Sequence, residues 1–125
     1  TDMVDSWRGH IAEQITAQEL LALEDRVGQH RSFWAKPNNG AEVDFIFAHN
    51  SKLYPIEVKS GTNAHLRSLQ VFMDSSEVNI AIRIWSKPYS IDKVKTSHGK
   101  VFTLINLPFY LIGNLRSILD AVVEE

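Results

Sequence analysis

The sequence contains no cysteine. Disulfides and thiolate-ligated metal sites are therefore excluded, as is a cysteine nucleophile. The lack fits a reducing compartment, and a cytoplasmic location is the expectation. No apolar run approaches the roughly 20 residues that a membrane helix needs. No signal-peptide pattern is visible, so no membrane association is expected. Gly-x-Ser-x-Gly is missing, which leaves acyl transfer unsupported. Gly-Lys-Ser/Thr is missing as well, so no nucleotide-binding P-loop is read here. Positive charge is not in excess: the formal net charge is −2, which counts against nucleic-acid binding by bulk charge. Repeats, low-complexity tracts and linkers are also lacking.

What is present is one domain, residues 1–125, since 125 residues are too few for two ordinary domains. The chain begins with Thr1 rather than Met, and the expectation is a fragment of a longer protein. Charge is unevenly spread. Arg83, Lys87, Lys93, Lys95 and Lys100 face only Asp92 across their segment. That run is either a solvated loop or a local phosphate-facing patch.

Periodicity predicts a helix from Asp2 to about Gly28, with Asp2 or Asp5 as cap. Its apolar residues fall on two sides, one with Val4, Trp7, Ile11 and Ile15, the other with Gly9, Glu13, Ala17 and Leu20. "HRSFWAK" is a plausible short strand and "KPNNG" a turn. Ala41–Ala48 and Leu53–Ser60 alternate with the period of two of strands. Thr62 or Asn63 caps a helix to about Ser76, with Leu66, Leu69 and Met73 inward. Val78–Trp85 reads as a buried strand and Lys87–Lys100 as irregular. Val101–Asn106 reads as a last strand, and a helix follows over 109–123. The first three strands suit an antiparallel meander. The second helix can cross over to a parallel strand. The expected fold is α/β, a mixed sheet with helices on its faces.

A two-residue turn at Asn50 and Ser51 sets the hairpin register. Asp44 then faces Glu57, and Glu42 faces Lys59, all on one face. Val43, Phe45, Tyr54, Ile56 and Val58 share the other and form a core, and a one-residue slip would turn them outward. Two carboxylates directly opposed repel by about 0.2–1 kcal/mol when exposed, and burial raises one pKa. A divalent cation would reverse that sign. Two or three carboxylates plus waters suit Mg²⁺, and the adjacent Lys59 could neutralise a phosphate or hold a water. Metal and cation together suit phosphodiester hydrolysis. The plainer alternative is a solvent face with a cross-strand Glu42–Lys59 ion pair.

Asp44 in "EVDF" and Glu57-Val58-Lys59 in "IEVKS" resemble the PD-(D/E)XK nuclease superfamily, whose restriction-endonuclease-like fold has an αβββαβ core. "WRGHIAEQITAQEL", "FWAKPNNGAEVDFIF", "PIEVKSG" and "LRSLQVF" together resemble the C-terminal, nuclease-like domain of unknown function of prokaryotic AAA-type ATPases. The resemblance covers about Trp7 to Phe72 well. It implies Glu13, Asp44 and Glu57 as ligands of Mg²⁺ or Mn²⁺, with the Val58 carbonyl as a further ligand. It implies Lys59 and Gln70 as catalytic residues. The small neighbours Gly9 and Ala17 would let the first helix bring Glu13 over Asp44.

Gln70 lies on an apolar stripe and must find hydrogen bonds, with Lys59, a phosphate or the backbone as candidates. Lys87, Lys93 and Lys95 are the candidate nucleic-acid contacts. Backbone N–H groups near Ser60-Gly61 are a candidate anion site. The five histidines fit no zinc spacing, and the three tryptophans are expected to pack rather than stack on bases. The implied activity is metal-dependent DNA hydrolysis. The implied partners are DNA and an N-terminal ATPase domain of the same chain, and DNA binding is expected to need that domain or a homodimer. The alternative is a non-catalytic accessory module that binds nucleic acid or protein.

Overall fold

The computed structural model describes residues 2–27, 34–35, 43–59 and 66–123. In chain order these form helix α1 (Asp2–Val27), strands β1 (Trp34–Ala35), β2 (Phe45–His49) and β3 (Lys52–Val58), and helix α2 (Arg67–Asp74). Strands β4 (Ile80–Trp85), β5 (Ser90–Lys95) and β6 (Val101–Pro108) follow, then a 3₁₀ segment (Phe109–Asn114) and helix α3 (Leu115–Val123). One mixed sheet orders the strands β1-β2-β3-β4-β6-β5. The first three are an antiparallel meander, β3, β4 and β6 run parallel, and β5 closes the edge antiparallel to β6. The expected α/β class holds, and helix, three strands, helix, strand is the observed order. Glu42, the "KPNNG" turn, Gly28, the Ser60-Gly61 turn, Thr62, Asn63, His30 and His65 lie outside the described residues, and α2 starts later than expected, with Leu66 rather than Thr62 or Asn63 as its N-cap and no side-chain cap bond.

Each face of the sheet carries its own apolar layer, because side chains alternate along each strand. Phe45, Phe47, Ile56, Ile82, Ile84 and Ile105 pack with Leu20 and Leu23 of α1 and with Leu115 and Leu119 of α3. On the other face Ala81, Phe102 and Leu104 pack with Leu69 and Met73 of α2. The hairpin register is the expected one, with Phe45↔Ile56 through His49↔Lys52. Asn50 and Ser51 turn with φ of 50° and 66°, as a tight two-residue hairpin loop requires.

The structure corrects several expectations. Val43 does not share a face with Phe45: it joins the α2 layer. The chain bends at Asp44, and a bend breaks strict alternation. Lys87–Lys100 is not irregular, since it contains β5. At a sheet edge a strand tolerates charge on its exposed positions, which hid it. On α1, Ala12, Thr16, Leu20 and Leu23 are the buried positions among the described side chains, while Trp7 is 64% exposed and Ile15 43%. Small side chains, not the Trp7–Ile15 row, let the helix lie close to the sheet. The final helix begins as a 3₁₀ turn.

Candidate active site

The regular β2–β3 ladder stops at Phe45↔Ile56. The Asp44 amide donates to the Ile56 carbonyl at 3.1 Å, and the Asp44 carboxylate accepts the Val58 amide at 2.7 Å. Main-chain groups of a strand residue point in the plane of the sheet. Asp44 therefore fills the gap where β2 bends away from β3, and its carboxyl can be approached from both faces.

Glu13 approaches from α1. It is half-buried, beside the buried Ala12, and its side chain hydrogen-bonds that of Asp44. Such a bond needs a proton on one carboxyl. Glu57 approaches from the α2 face of β3, is buried and adds its charge to the field at Asp44. The consequence is large: the Asp44 pKa is pushed up to about 7. Burial is the main cause, the Val58 N–H opposes it, and the charge of Glu57 and the hydrogen bond and charge of Glu13 add to it. The site is short of positive charge.

Lys59 supplies some. Its Nζ lies 3.5 Å from Glu57 Oε1, so its observed acidic partner is Glu57, two residues back along the same face. The Val58 N–H points at Asp44, and the carbonyl of the same residue points the same way. Gln70 is half-buried on α2 and makes no side-chain hydrogen bond among the described residues.

The donor chemistry of this cluster suits an oxygen-seeking divalent cation: three carboxyl groups and one main-chain carbonyl direction, with the Asp44 pKa raised to about 7, chiefly by burial. Among the described residues no three His, Cys, Asp or Glu side chains converge at metal-ligand spacing.

The three lysines read as a nucleic-acid patch are separated. Lys93 donates to Thr103 Oγ1 at 2.7 Å and shares with Lys95 the face opposite Asp92. Lys87 lies over the Trp85 ring, 5.4 Å from its centroid. Lys100 leaves the patch altogether: its ammonium donates to the carbonyls of Met73 at 2.8 Å, Val78 at 2.9 Å and Ser76. Three described histidines stand apart, His10 near Gln14, His49 on Asp120 and His98 on Asp74.

Sequence reasoning missed a polar rung next to the site. Glu57 pairs in register with Arg83, Arg83 with Asn106, and Asn106 with Ser90. Arg83 Nε donates to Asn106 Oδ1 at 2.8 Å, and Asn106 Nδ2 donates to Ser90 Oγ at 3.0 Å and Asp92 Oδ2 at 2.7 Å. Burial lowers the Arg83 pKa, and Asp92 opposes that. The available signal was a strongly polar residue inside each of two apolar strands, "IAIRIW" and "VFTLINLP", since buried polar groups must be partnered.

A separate hollow of about 500 Å³ lies between the β2–β3 turn and the end of α2. It sits at the far end of β3 from Asp44 and gathers no comparable acid cluster. Among the described residues no helix is long and apolar enough to cross a membrane. No curated protein and no solved structure gives a match to the sequence. The model of one family matches residues 8–110, a span that holds every candidate site residue named above. The chain belongs to that family, described as "Domain of unknown function (DUF4143)".

Proposed function

We propose that this domain is a divalent-metal-dependent phosphodiesterase of the PD-(D/E)XK kind acting on DNA, in the setting of an AAA-type ATPase. The observation that carries the reading is the Glu13–Asp44 hydrogen bond in the field of the Glu57 charge, beside the Glu57–Lys59 ion pair. Glu13, Asp44 and Glu57, with the Val58 carbonyl, would hold Mg²⁺ or Mn²⁺. When bound, the ion would activate water and offset charge on the scissile phosphate. The Val58 N–H keeps the Asp44 carboxylate oriented. Glu57 holds the Lys59 ammonium at the site, where it can meet a phosphate oxygen or a water. Gln70, half-buried and with its amide uncommitted among the described residues, is a candidate to complete that hydrogen bonding.

The test is cleavage of linear, branched and single-stranded DNA with Mg²⁺ or Mn²⁺, by wild type and Lys59→Ala. The expected result is activity that falls by about 10²-fold or more in the variant. Calorimetric Mn²⁺ titration should give a binding heat in wild type that Asp44→Asn loses. Identical weak heats from both would remove the metal site. A second reading, a non-catalytic accessory module, is favoured by the lack of a converging set of three ligand side chains among the described residues. It stands if neither protein cleaves while both are folded.

A further inference from the structure

Strands β3, β4 and β6 are parallel, so their carboxyl ends lie along one edge of the sheet, the usual place for ligands in open α/β sheets. Val58 pairs with Ile84, and the Lys59 amide donates to the Ile84 carbonyl at 2.8 Å. The next step in register sets Lys59 beside Trp85. Both side chains lie on the α2 face, as do Glu57 and Arg83 two residues earlier. An aromatic ring thus stands one strand away from the acidic cluster.

The ring is mounted. The Arg83 guanidinium lies 4.2 Å from its centroid and is itself buried and fixed by Asn106. Asn106 is fully buried and tied to Ser90 and Asp92 on the edge strand. The indole N–H of Trp85 is buried and meets no acceptor among the described residues, and the Arg83 guanidinium lies against the ring. Arg83 precedes Trp85 by two residues and Lys87 follows by two. Lys87 is exposed, with its ammonium over the ring at 5.4 Å, and a flexible exposed chain gives way to an arriving planar group at small cost.

We infer that Trp85, backed by Arg83 and flanked by Lys59 and Lys87, is a stacking platform for an unpaired base, so that a single-stranded nucleic-acid segment is the ligand class of this edge. Stacking on an aromatic ring needs a base free of its partner strand. The charge distribution agrees. Arg83 and Lys100 are spent inside the fold, and Lys93 and Lys95 face the other way, so among the described residues no broad basic surface tracks a duplex backbone. Delivery of that segment to Asp44, Glu57 and Lys59 rests on the function proposed above. The platform itself does not.

The two are separated by measuring binding in EDTA, where metal-dependent cleavage is silent. Fluorescence anisotropy with a labelled oligothymidylate of about 12 nucleotides, a length within one domain's usual site size, is compared with a duplex of equal length. Wild type should bind the single strand more tightly. Trp85→Leu should weaken that binding about 5- to 100-fold, the worth of one stacked base, while its Mn²⁺ titration stays that of wild type. Trp85→Phe should keep most of the affinity. Wild-type affinity in Trp85→Leu, an equal loss in Trp85→Phe, or duplex binding as tight as single-strand binding would overturn the platform and leave the metal site standing. Should Trp85→Leu fail to fold, a Trp7→Phe, Trp34→Phe double variant reports on Trp85 alone. Quenching of its emission by oligothymidylate supports the stack, and unchanged emission overturns it.

Discussion

The Asp44 carboxylate takes the Val58 amide at 2.7 Å, a bond that a carbonyl of the neighbouring strand would otherwise make. A side chain thus replaces main chain at the last rung of the hairpin. The substitution satisfies the strand end and also fixes a carboxyl in the plane of the sheet, where Glu13 and Glu57 reach it from the two faces. The bend that moves Val43 into the α2 layer is part of the same event.

The raised pKa of Asp44 makes stability depend on pH. Asp44 has an ordinary pKa of 3.8 and a folded value of about 7, so the folded state binds the proton more tightly. The stability from this group is complete below about pH 4 and is lost as pH rises through about 7. Asp44→Asn keeps an acceptor for Val58 and a donor for Glu13 at every pH. It should match wild type near pH 4 and exceed it above pH 7 by about 1–2 kcal/mol, less than the full linkage value because the carboxyl retains some water. Urea unfolding across that range checks it. A wild type that gains on the variant as pH rises would contradict the arrangement. Mn²⁺ at pH 8 should stabilise wild type and not Asp44→Asn.

The turn that sets the register carries strain. Ser51 has φ of 66°, a left-handed conformation that glycine adopts freely and a side chain resists. Ser51→Gly produces Asn-Gly, the favoured pair for this loop. Asn50, whose side chain donates to Asp120 at 3.3 Å, is left in place. The variant should be more stable by about 0.4–1 kcal/mol, read as a higher urea midpoint with unchanged slope. A lower midpoint would mean that the serine makes a contact worth more than the strain.

Lys100 caps the end of α2 from a distant hairpin. Its ammonium meets the carbonyl of Met73 in the last turn of α2 and those of Ser76 and Val78 just beyond it, where the helix dipole favours a cation. His98 supports the same end through Asp74 at 2.8 Å. Lys100→Met should cost about 1–3 kcal/mol, seen in chemical unfolding, and should speed amide exchange in α2. Retained exchange protection in α2 would show that another group takes over the cap.

Local rules made part of this legible. Alternation and the Asn50-Ser51 turn were enough to give the β2–β3 register, because both act within about fifteen residues and a slip would expose Phe45 and Ile56. The same count placed Asp44 opposite Glu57, but the ladder stops at Phe45↔Ile56 and the Asp44 carboxylate turns to the Val58 amide, because the chain bends there. The role of Glu13 was not readable from spacing, since it depends on how close α1 lies. Small residues at Ala12 and Thr16 settle that, and the larger apolar row through Trp7 pointed elsewhere. The Arg83–Asn106 contact joins strands separated in sequence by β5, so no period reports it. Lys100 looked like free surface charge because its partners are backbone carbonyls, which no side-chain pattern reveals. Lys59 looked like a partner for Glu42, which lies outside the described residues; its partner among them is Glu57 of its own strand.

Asn106 tests whether the polar rung holds the platform or merely fills space. Its amide is the neutral link between the buried Arg83 and the acid Asp92, accepting from one at 2.8 Å and donating to the other at 2.7 Å. Asn106→Leu removes both bonds while keeping the volume, so a buried guanidinium loses a fixed acceptor. The expected cost is about 2–4 kcal/mol. Asn106→Asp should cost less, because the carboxylate still accepts from Arg83, but it sets two acids together with Asp92 and should be destabilised further as pH rises from 4 to 8. If Arg83 mounts the Trp85 ring, the emission of Trp85 in the Trp7→Phe, Trp34→Phe background should shift in Asn106→Leu under native conditions. An unshifted spectrum with the full stability loss would make the rung a packing device alone.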